Sequence, residues 1–190
     1  MNPSSIIHQQ YSELIQAVTD AKSGLREVEH CAKIIADALQ AGRKVLTAGN
    51  GGSASDALHL SEELVGRYKN DRRALPAIAL AADGTALTCI GNDFGFDQIF
   101  SRQVEALGVS GDVLVLFTSS GNSQNLILAL EMARSRGVRT VAFLGRGGGK
   151  LKGRADAEWI VPSNSGARVQ ELHTWALHVI LEVVEDRLFS

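Results

Sequence analysis

The chain has 190 residues, of which 45% are hydrophobic and 21% are charged, and its formal net charge is −2 at pH 7. These values predict one globular domain over residues 1–190, and they argue against a nucleic-acid-binding surface, which normally carries a basic excess. No apolar run approaches the roughly 20 residues of a membrane-spanning helix, and two cysteines are too few for a disulfide framework.

Residues 5 to about 41 are predicted to form an N-terminal helical extension. Apolar residues recur there at helical spacing in two stripes, from Ile6 to Val18 and from Val28 to Leu39. Ser23 and Gly24 lie between the stripes and predict a break or kink. The first stripe needs a partner surface, which is either the domain's own sheet or a second subunit.

The first strand, residues 44–48, is followed by the glycine-rich turn Gly49–Ser53 and by a helix over about 54–68. Glycines let a ligand approach the backbone closely, but their spacing matches neither the dinucleotide fingerprint nor the P-loop. On the helix, His59 and Glu63 are four residues apart and therefore share a face. They form either an exposed helix pair, an acid and a base, or two metal ligands.

The middle of the chain continues the alternation of strands and helices. A short strand is predicted over 76–80, and Asp83 or Thr85 is the expected cap of a helix that runs to about Ile90. A polar turn over 91–95 and a helix over 97–107 follow.

Residues 112–132 predict a phosphate-binding turn. An apolar strand over 113–117 leads into six small or polar residues, and Leu126, Ile127 and Leu130 then recur at helical spacing. Backbone N–H groups and a helix N-terminus converge on an anion in this geometry. The turn also offers the hydroxyl groups of Thr118, Ser119, Ser120 and Ser123. The alternative is an ordinary N-capped loop.

The last third of the chain predicts strands over 138–144 and 159–162, a mobile loop over 145–150, and a helix over 167–188. On that helix His173 is expected at the surface, whereas His178 is either a core residue or a site residue. Gln170 and His178 are about 12 Å apart along the helix. One metal joins them within a chain only if both side chains stretch, and a site shared between subunits relaxes that constraint.

Strands that alternate with helices predict an α/β three-layer sandwich, in which a five-stranded parallel sheet is flanked by helices. Ligands bind such sheets beyond the carboxyl ends of the strands. Both polar turns are predicted at that end.

Four segments carry a family resemblance: GNGGSASDALHLSEELVGRY, AIALAADGTALTCIGNDFGFDQIFSRQVEALG, TSSGNSQN and SGARVQELHTWALHVILEVVED. Together they resemble the phosphoheptose isomerases, the sedoheptulose 7-phosphate isomerases of the sugar-isomerase (SIS) domain group. The resemblance covers roughly residues 40 to 188 and implies a flavodoxin-like SIS fold. It also implies a cytoplasmic homotetramer with sites at subunit interfaces and a role in heptose biosynthesis for lipopolysaccharide. The start of the chain lacks a secretion signal, which agrees with that location.

The resemblance also implies a set of site residues. One zinc ion per site is expected on His59, Glu63, Gln170 and His178. The implied substrate contacts are Asn50, Gly51, Gly52, Glu63, Asn92, Asp93, Thr118, Ser119, Ser120, Ser123 and Gln170. Thr118 stands where the family commonly has Ser, and Ala167 stands where some members have Asp, so one contact of those members is absent.

The implied reaction converts sedoheptulose 7-phosphate to D-glycero-D-manno-heptose 7-phosphate through an enediol, with Glu63 as base and His178 as acid. A zinc-bound Glu63 is a poorer base and a zinc-bound His178 cannot donate a proton, so the two roles compete. The alternative function is a non-catalytic relative that binds the bacterial replication initiator protein. That relative has lost part of the metal set, whereas all four positions are filled here.

Overall fold

The computed structural model describes residues 2–190. Its helices are α1 Pro3–Ala21, α2 Leu25–Gln40, α3 Gly52–Val65, α4 Gly84–Phe94, α5 Ser101–Leu107, α6 Gln124–Ser135 and α7 Gly166–Phe189. Its strands are β1 Val45–Gly49, β2 Ala77–Ala79, β3 Val113–Thr118, β4 Arg139–Leu144 and β5 Ala157–Ile160. Short 3₁₀ segments lie at Lys22–Gly24, Phe96–Gln98 and Arg146–Leu151.

The five strands form one parallel sheet in the order β2-β1-β3-β4-β5. Successive side chains of β3 point to opposite faces, so Val113, Val115 and Phe117 join one core cluster while Leu114 and Leu116 join the other. Both faces are buried, which is why the strand is a continuous apolar run. The predicted three-layer α/β fold is confirmed.

Helices α2, α3 and α7 cover one face of the sheet, and α5 and α6 cover the other. The order 2-1-3-4-5 is the flavodoxin-like one, in which the order of strand addition reverses between β1 and β3 while all strands stay parallel. That switch point is where the two polar turns emerge. Within residues 2–190, none of the helices combines the length and apolarity required to cross a membrane.

Helix α1 buries only Ala17 and Ala21 against the body of the domain. Its apolar stripe faces outward, since Ile7 and Tyr11 are each 66% exposed and Val18 is 52% exposed. The domain's own sheet therefore does not cover this stripe. The predicted break between the first two helices is confirmed by the 3₁₀ segment at Lys22–Gly24.

Several segments differ from the sequence-based prediction. Helix α3 ends at Val65 rather than near residue 68, β5 spans Ala157–Ile160 rather than 159–162, and two further segments change character. Asn92 and Asp93 lie in the last turn of α4 rather than in a polar turn, because the helix continues to Phe94. The glycine-rich segment at 145–150, predicted as a mobile loop, is a tight turn packed against the turn that follows β3, and the three glycines inside it are not helical. Gly147, Gly148 and Gly149 have φ of 76°, 89° and 54° there, a conformation that favours glycine.

Candidate active site

The hydroxyl-rich turn after β3 uses its side chains in two different ways. Thr118 is buried, and its Oγ1 accepts a hydrogen bond from the Gly121 N–H at 3.1 Å. Ser120 Oγ accepts from the Asn122 N–H at 3.2 Å. Ser123 is the N-cap residue of α6 but makes no side-chain capping bond. Its hydroxyl is therefore available to a ligand at the N-terminus of α6.

The glycine-rich segment after β4 fixes this turn from one side. Gly121 has φ of 63°, and a Cβ at this position would lie 1.9 Å from the Gly148 carbonyl oxygen. The Leu151 N–H donates to the Gly121 carbonyl at 3.0 Å. The Lys150 N–H donates to Asn122 Oδ1, also at 3.0 Å.

The turn after β1 is tied to the start of α6 by a pair of amides. Asn50 Nδ2 donates to Asn125 Oδ1 at 2.9 Å, and Asn125 Nδ2 donates to Asn50 Oδ1 at the same distance. Asn50 is a predicted substrate contact, whereas the sequence did not single out Asn125. Its place within two residues of Ser123 was the available signal, because the first turn of α6 borders the predicted phosphate site.

Helices α3 and α7 lie side by side and bring together most of the remaining predicted residues. A Cβ at Gly52 would lie 2.4 Å from Gln170 Nε2, so these two positions are in contact. Further along, Thr174 Oγ1 donates to Asp56 Oδ1 at 2.8 Å. Burial raises the pKa of Asp56, although the Thr174 hydrogen bond and the charge of His59 oppose the shift.

The predicted imidazole–carboxylate group, which consists of His59, Glu63 and His178, lies beyond Asp56 along the same two helices. His59 Nε2 is 3.6 Å from Glu63 Oε1, and the rings of His59 and His178 are 5.0 Å apart between centroids. The Tyr68 ring stacks on the His178 ring, with 5.6 Å between the ring centroids. Burial and the charge of His59 lower the pKa of His178, while Glu63 acts in the opposite direction.

The donor chemistry of this group fits a metal ion. One ligand atom each from His59, Glu62 and Glu63 lies within 4.8 Å of the other two. Imidazole nitrogen and carboxylate oxygen are usual zinc ligands, and the His178 ring adjoins them. Glu62 is exposed and is a potential ligand that the sequence did not predict.

One chain does not place all predicted site residues together. Gln170 contacts Gly52, which precedes His59 by seven residues, or about 10 Å of helix. Asn92 and Asp93 are exposed on α4, a helix without fully buried residues. A neighbouring chain is not needed to bring His178 to Glu63, because both residues adjoin His59 in the same chain. Gln170 is the predicted ligand that remains apart.

A buried ion pair contacts the end of α3, next to the group formed by His59, Glu63 and His178. Arg72 Nε donates to Glu185 Oε1 at 2.8 Å, and the two side chains are 1% and 4% exposed. Arg72 also donates to the Glu63 carbonyl at 2.8 Å. Glu185 accepts from the N–H groups of Tyr68, Lys69 and Asn70. Burial raises the pKa of Glu185, but these hydrogen bonds and Arg72 outweigh it, so the pKa is lowered.

Comparison with known proteins identifies the family. The SIS domain family profile matches residues 8–145. A phosphoheptose isomerase of Geobacter sp. (strain M21) is 55% identical over 162 residues, which are 85% of this chain and 84% of that protein. The chain belongs to the phosphoheptose isomerase family. It is therefore an isomerase, as the family resemblance implied.

Other members of the phosphoheptose isomerase family align with a still larger share of the chain. The Fusobacterium nucleatum phosphoheptose isomerase is 46% identical over 93% of this chain and 91% of its own. The solved structure of a phosphoheptose isomerase from Francisella tularensis has a TM-score of 0.95 at 34% identity, covering 98% of this chain and all of that one. The Neisseria gonorrhoeae structure has a TM-score of 0.91 at 38% identity, covering 97% and 100%.

Proposed function

We propose that this isomerase converts sedoheptulose 7-phosphate to D-glycero-D-manno-heptose 7-phosphate in cytoplasmic heptose biosynthesis that supplies lipopolysaccharide. Its family supports a sugar-phosphate isomerase of heptose biosynthesis. The observation that carries the proposal is the adjacency of His59, Glu63 and His178 on α3 and α7. A carboxylate beside two imidazoles can move a proton between neighbouring carbons.

In the proposed reaction the chain's own groups perform three tasks. The hydroxyls of Ser119, Ser120 and Ser123, with the N-terminus of α6, hold the phosphate. Glu63 takes a proton from one carbon and returns it to the neighbouring carbon. His178 donates a hydrogen bond or proton to the oxygen that becomes negative in the enediol. The other predicted substrate contacts are Asn50, Gly51, Gly52, Asn92, Asp93, Thr118 and Gln170.

We also propose that zinc binds to His59, Glu63 and His178, with Gln170 supplied by a neighbouring subunit. When bound, zinc would supply Lewis-acid polarisation of the substrate oxygen. The same lone pairs serve acid–base catalysis by Glu63 and His178, so metal occupancy decides which role they take. Removing metal with a chelator and adding zinc back separates the two. Activity that is lost and restored supports zinc, whereas activity that survives supports the acid–base pair.

The proposed assembly is a homotetramer, built from single-domain chains (residues 1–190), with its sites at subunit interfaces. Residues 1–41 contribute through the outward apolar stripe of α1, which includes Tyr11. The separation of Gln170 from His178 supports a site completed by a second chain. So does the exposure of Asn92 and Asp93 on α4.

The test is to incubate the purified protein with sedoheptulose 7-phosphate and to follow the aldose by NMR. Glu63→Gln keeps the side-chain shape but removes the base, so this variant should lose nearly all turnover while keeping its oligomeric mass. Glu131→Gln, a change of the same kind on α6, should retain activity. Wild-type kcat in the Glu63→Gln variant would refute the assignment of the base. A wild-type protein without turnover would favour the regulator that binds a replication initiator.

A further inference from the structure

Asn50 and Asn125 form a closed amide pair at the switch point of the sheet. Each side chain donates one hydrogen bond to the other and accepts one in return, both at 2.9 Å. Asn125 is 1% exposed, whereas Asn50 is partly exposed. One member of the pair is therefore embedded in the domain, and the other reaches the predicted ligand cleft.

The pairing determines what Asn50 can offer to a ligand. An amide side chain has two N–H donors and an oxygen with two lone pairs. Asn125 uses one donor and one lone pair of Asn50, so one of each remains on the outer edge. Neither amide can rotate by 180° alone, because N–H would then face N–H and oxygen would face oxygen across the pair. The direction of the free Asn50 N–H is thus coupled to the orientation of its buried partner.

The pair also joins the two turns that are predicted to hold the substrate. Asn50 follows β1, and Asn125 lies in the first turn of α6, just beyond the hydroxyl turn that follows β3. Strands β1 and β3 are hydrogen-bonded neighbours, but their polar turns leave the sheet separately. The amide pair fixes the position of one turn relative to the other at the point where the ligand is expected.

We propose that Asn125 is a positioning residue for the isomerase reaction, which orients the Asn50 amide toward the sugar phosphate. The proposal rests on the proposed function, in which Asn50 contacts the substrate. Asn125 does not contact the substrate. It acts through Asn50, and its removal leaves the base, the acid and the phosphate hydroxyls in place.

A double-mutant cycle tests the proposal. Asn125→Leu has similar volume and no hydrogen-bonding groups, so Asn50 loses both bonds and its fixed orientation. KM for sedoheptulose 7-phosphate should rise about tenfold, the size expected for losing one or two oriented hydrogen bonds. In an Asn50→Ala background the same change should add little, because the residue through which it acts is gone. For a variant without turnover, the calorimetric Kd of the sugar phosphate replaces KM.

A structural control separates orientation from stability. Thr47→Val, on the same strand β1, removes two buried hydrogen bonds to α3, from Thr47 Oγ1 to the Ala57 carbonyl at 2.7 Å and with Ser61 Oγ at 2.8 Å. It should lower the thermal midpoint and leave KM unchanged. All kinetic assays are run well below the unfolding midpoints. Additive effects of Asn50→Ala and Asn125→Leu, or an equal KM increase in Thr47→Val, would overturn the proposal.

A conservative variant provides a rescue. In Asn125→Asp the carboxylate still accepts from Asn50 Nδ2, but it faces Asn50 Oδ1 with a second oxygen. Protonation restores the closed pair, since the acid O–H can donate to Asn50 Oδ1. Burial and the facing Asn50 oxygen raise the pKa of the introduced carboxyl above its usual value of about 3.9. The ratio of variant to wild-type kcat/KM should therefore rise severalfold as the pH falls from 8 to 5. A flat ratio would contradict the proposal, and wild-type turnover in the same assay shows that the proposed function itself stands.

Discussion

At the scale of single residues, the two histidines of α7 show where pattern reading succeeds and fails. The sequence allows His178 to be either a core residue or a site residue. The structure places it, partly exposed, beside His59. The expectation that His173 lies at the surface is wrong, because it is fully buried among Phe117, Phe143 and Trp159. Both α2 and α3 pack against α7. The buried face of α7 is therefore wider than a single apolar stripe predicts, and it includes His173.

His173 should make the protein sensitive to acid. Burial lowers the pKa of His173 to about 4, and its hydrogen bond to the Leu144 carbonyl only partly opposes this. The unfolded chain binds a proton near pH 6.5 and the folded chain does not. Stability present above pH 6.5 is therefore lost as the pH falls toward 4, by roughly 3 kcal/mol. Urea unfolding from pH 7.5 to 4.5 measures the effect.

The control for this prediction is His173→Leu, which removes the titrating group from the core. The Leu144 carbonyl keeps its bond from the Val161 N–H at 2.8 Å. The variant should have a flatter dependence of unfolding free energy on pH than the wild type. Parallel pH profiles for the two proteins would show that another group causes the acid sensitivity.

Substitutions in the phosphate turn should show which hydroxyls bind the substrate and which stabilise the fold. Ser123→Ala and Ser120→Ala should each raise KM roughly tenfold or more, since a hydrogen bond to a charged acceptor contributes about 1.5–3 kcal/mol. Ser123→Ala should leave the unfolding free energy unchanged, because Ser123 makes no capping bond. Thr118→Val should instead lower stability by about 1–3 kcal/mol, because it leaves the Gly121 N–H without its acceptor. An unchanged KM in both serine variants would place the phosphate elsewhere.

At the scale of elements, strand–turn–helix units could be predicted because apolar runs, glycines and caps are local signals. Asp83 caps α4 as expected, accepting from the Thr85 and Ala86 N–H groups. The segment after α3 and the glycine-rich segment at 145–150 could not be predicted. Their backbone is fixed by partners distant in sequence, such as Glu185 for residues 68–70.

The Arg72–Glu185 pair should be necessary for the order of the segment after α3. Glu185→Ala leaves a guanidinium that is 1% exposed without its carboxylate, which should cost on the order of 3 kcal/mol in unfolding free energy. Because Tyr68 loses its backbone anchor, kcat should also fall. Glu182→Ala, one turn earlier on α7, removes only an exposed pair with Lys69 and should change neither. Equal urea midpoints for the two variants would refute the role of the buried pair.

At the scale of the whole molecule, sheet class and layering followed from the sequence, because periodicity and strand–helix alternation leave few topologies. The arrangement of the site residues could be predicted from the sequence only in part. One metal on four residues predicts that a neighbour supplies His178, yet α3 and α7 run side by side and bring His59, Glu63 and His178 together. Helix packing of this kind leaves no local signal. Gln170 lies against Gly52 in its own chain, and we propose that a neighbouring chain supplies the Gln170 of each metal site.

Mixing inactive subunits should reveal how sites are shared between chains. Glu63→Gln and Gln170→Ala alter groups that we assign to different chains of one site. After dissociation and reassociation, about a quarter of the sites should contain both intact groups by random pairing in a symmetric oligomer, and activity should return in that proportion. Glu63→Gln mixed with His178→Ala should recover nothing, because both changes fall in one intrachain group. Native mass spectrometry measures subunit exchange and counts the subunits of the oligomer. Recovery in the second mixture, or none in the first despite exchange, would reject this division of the site.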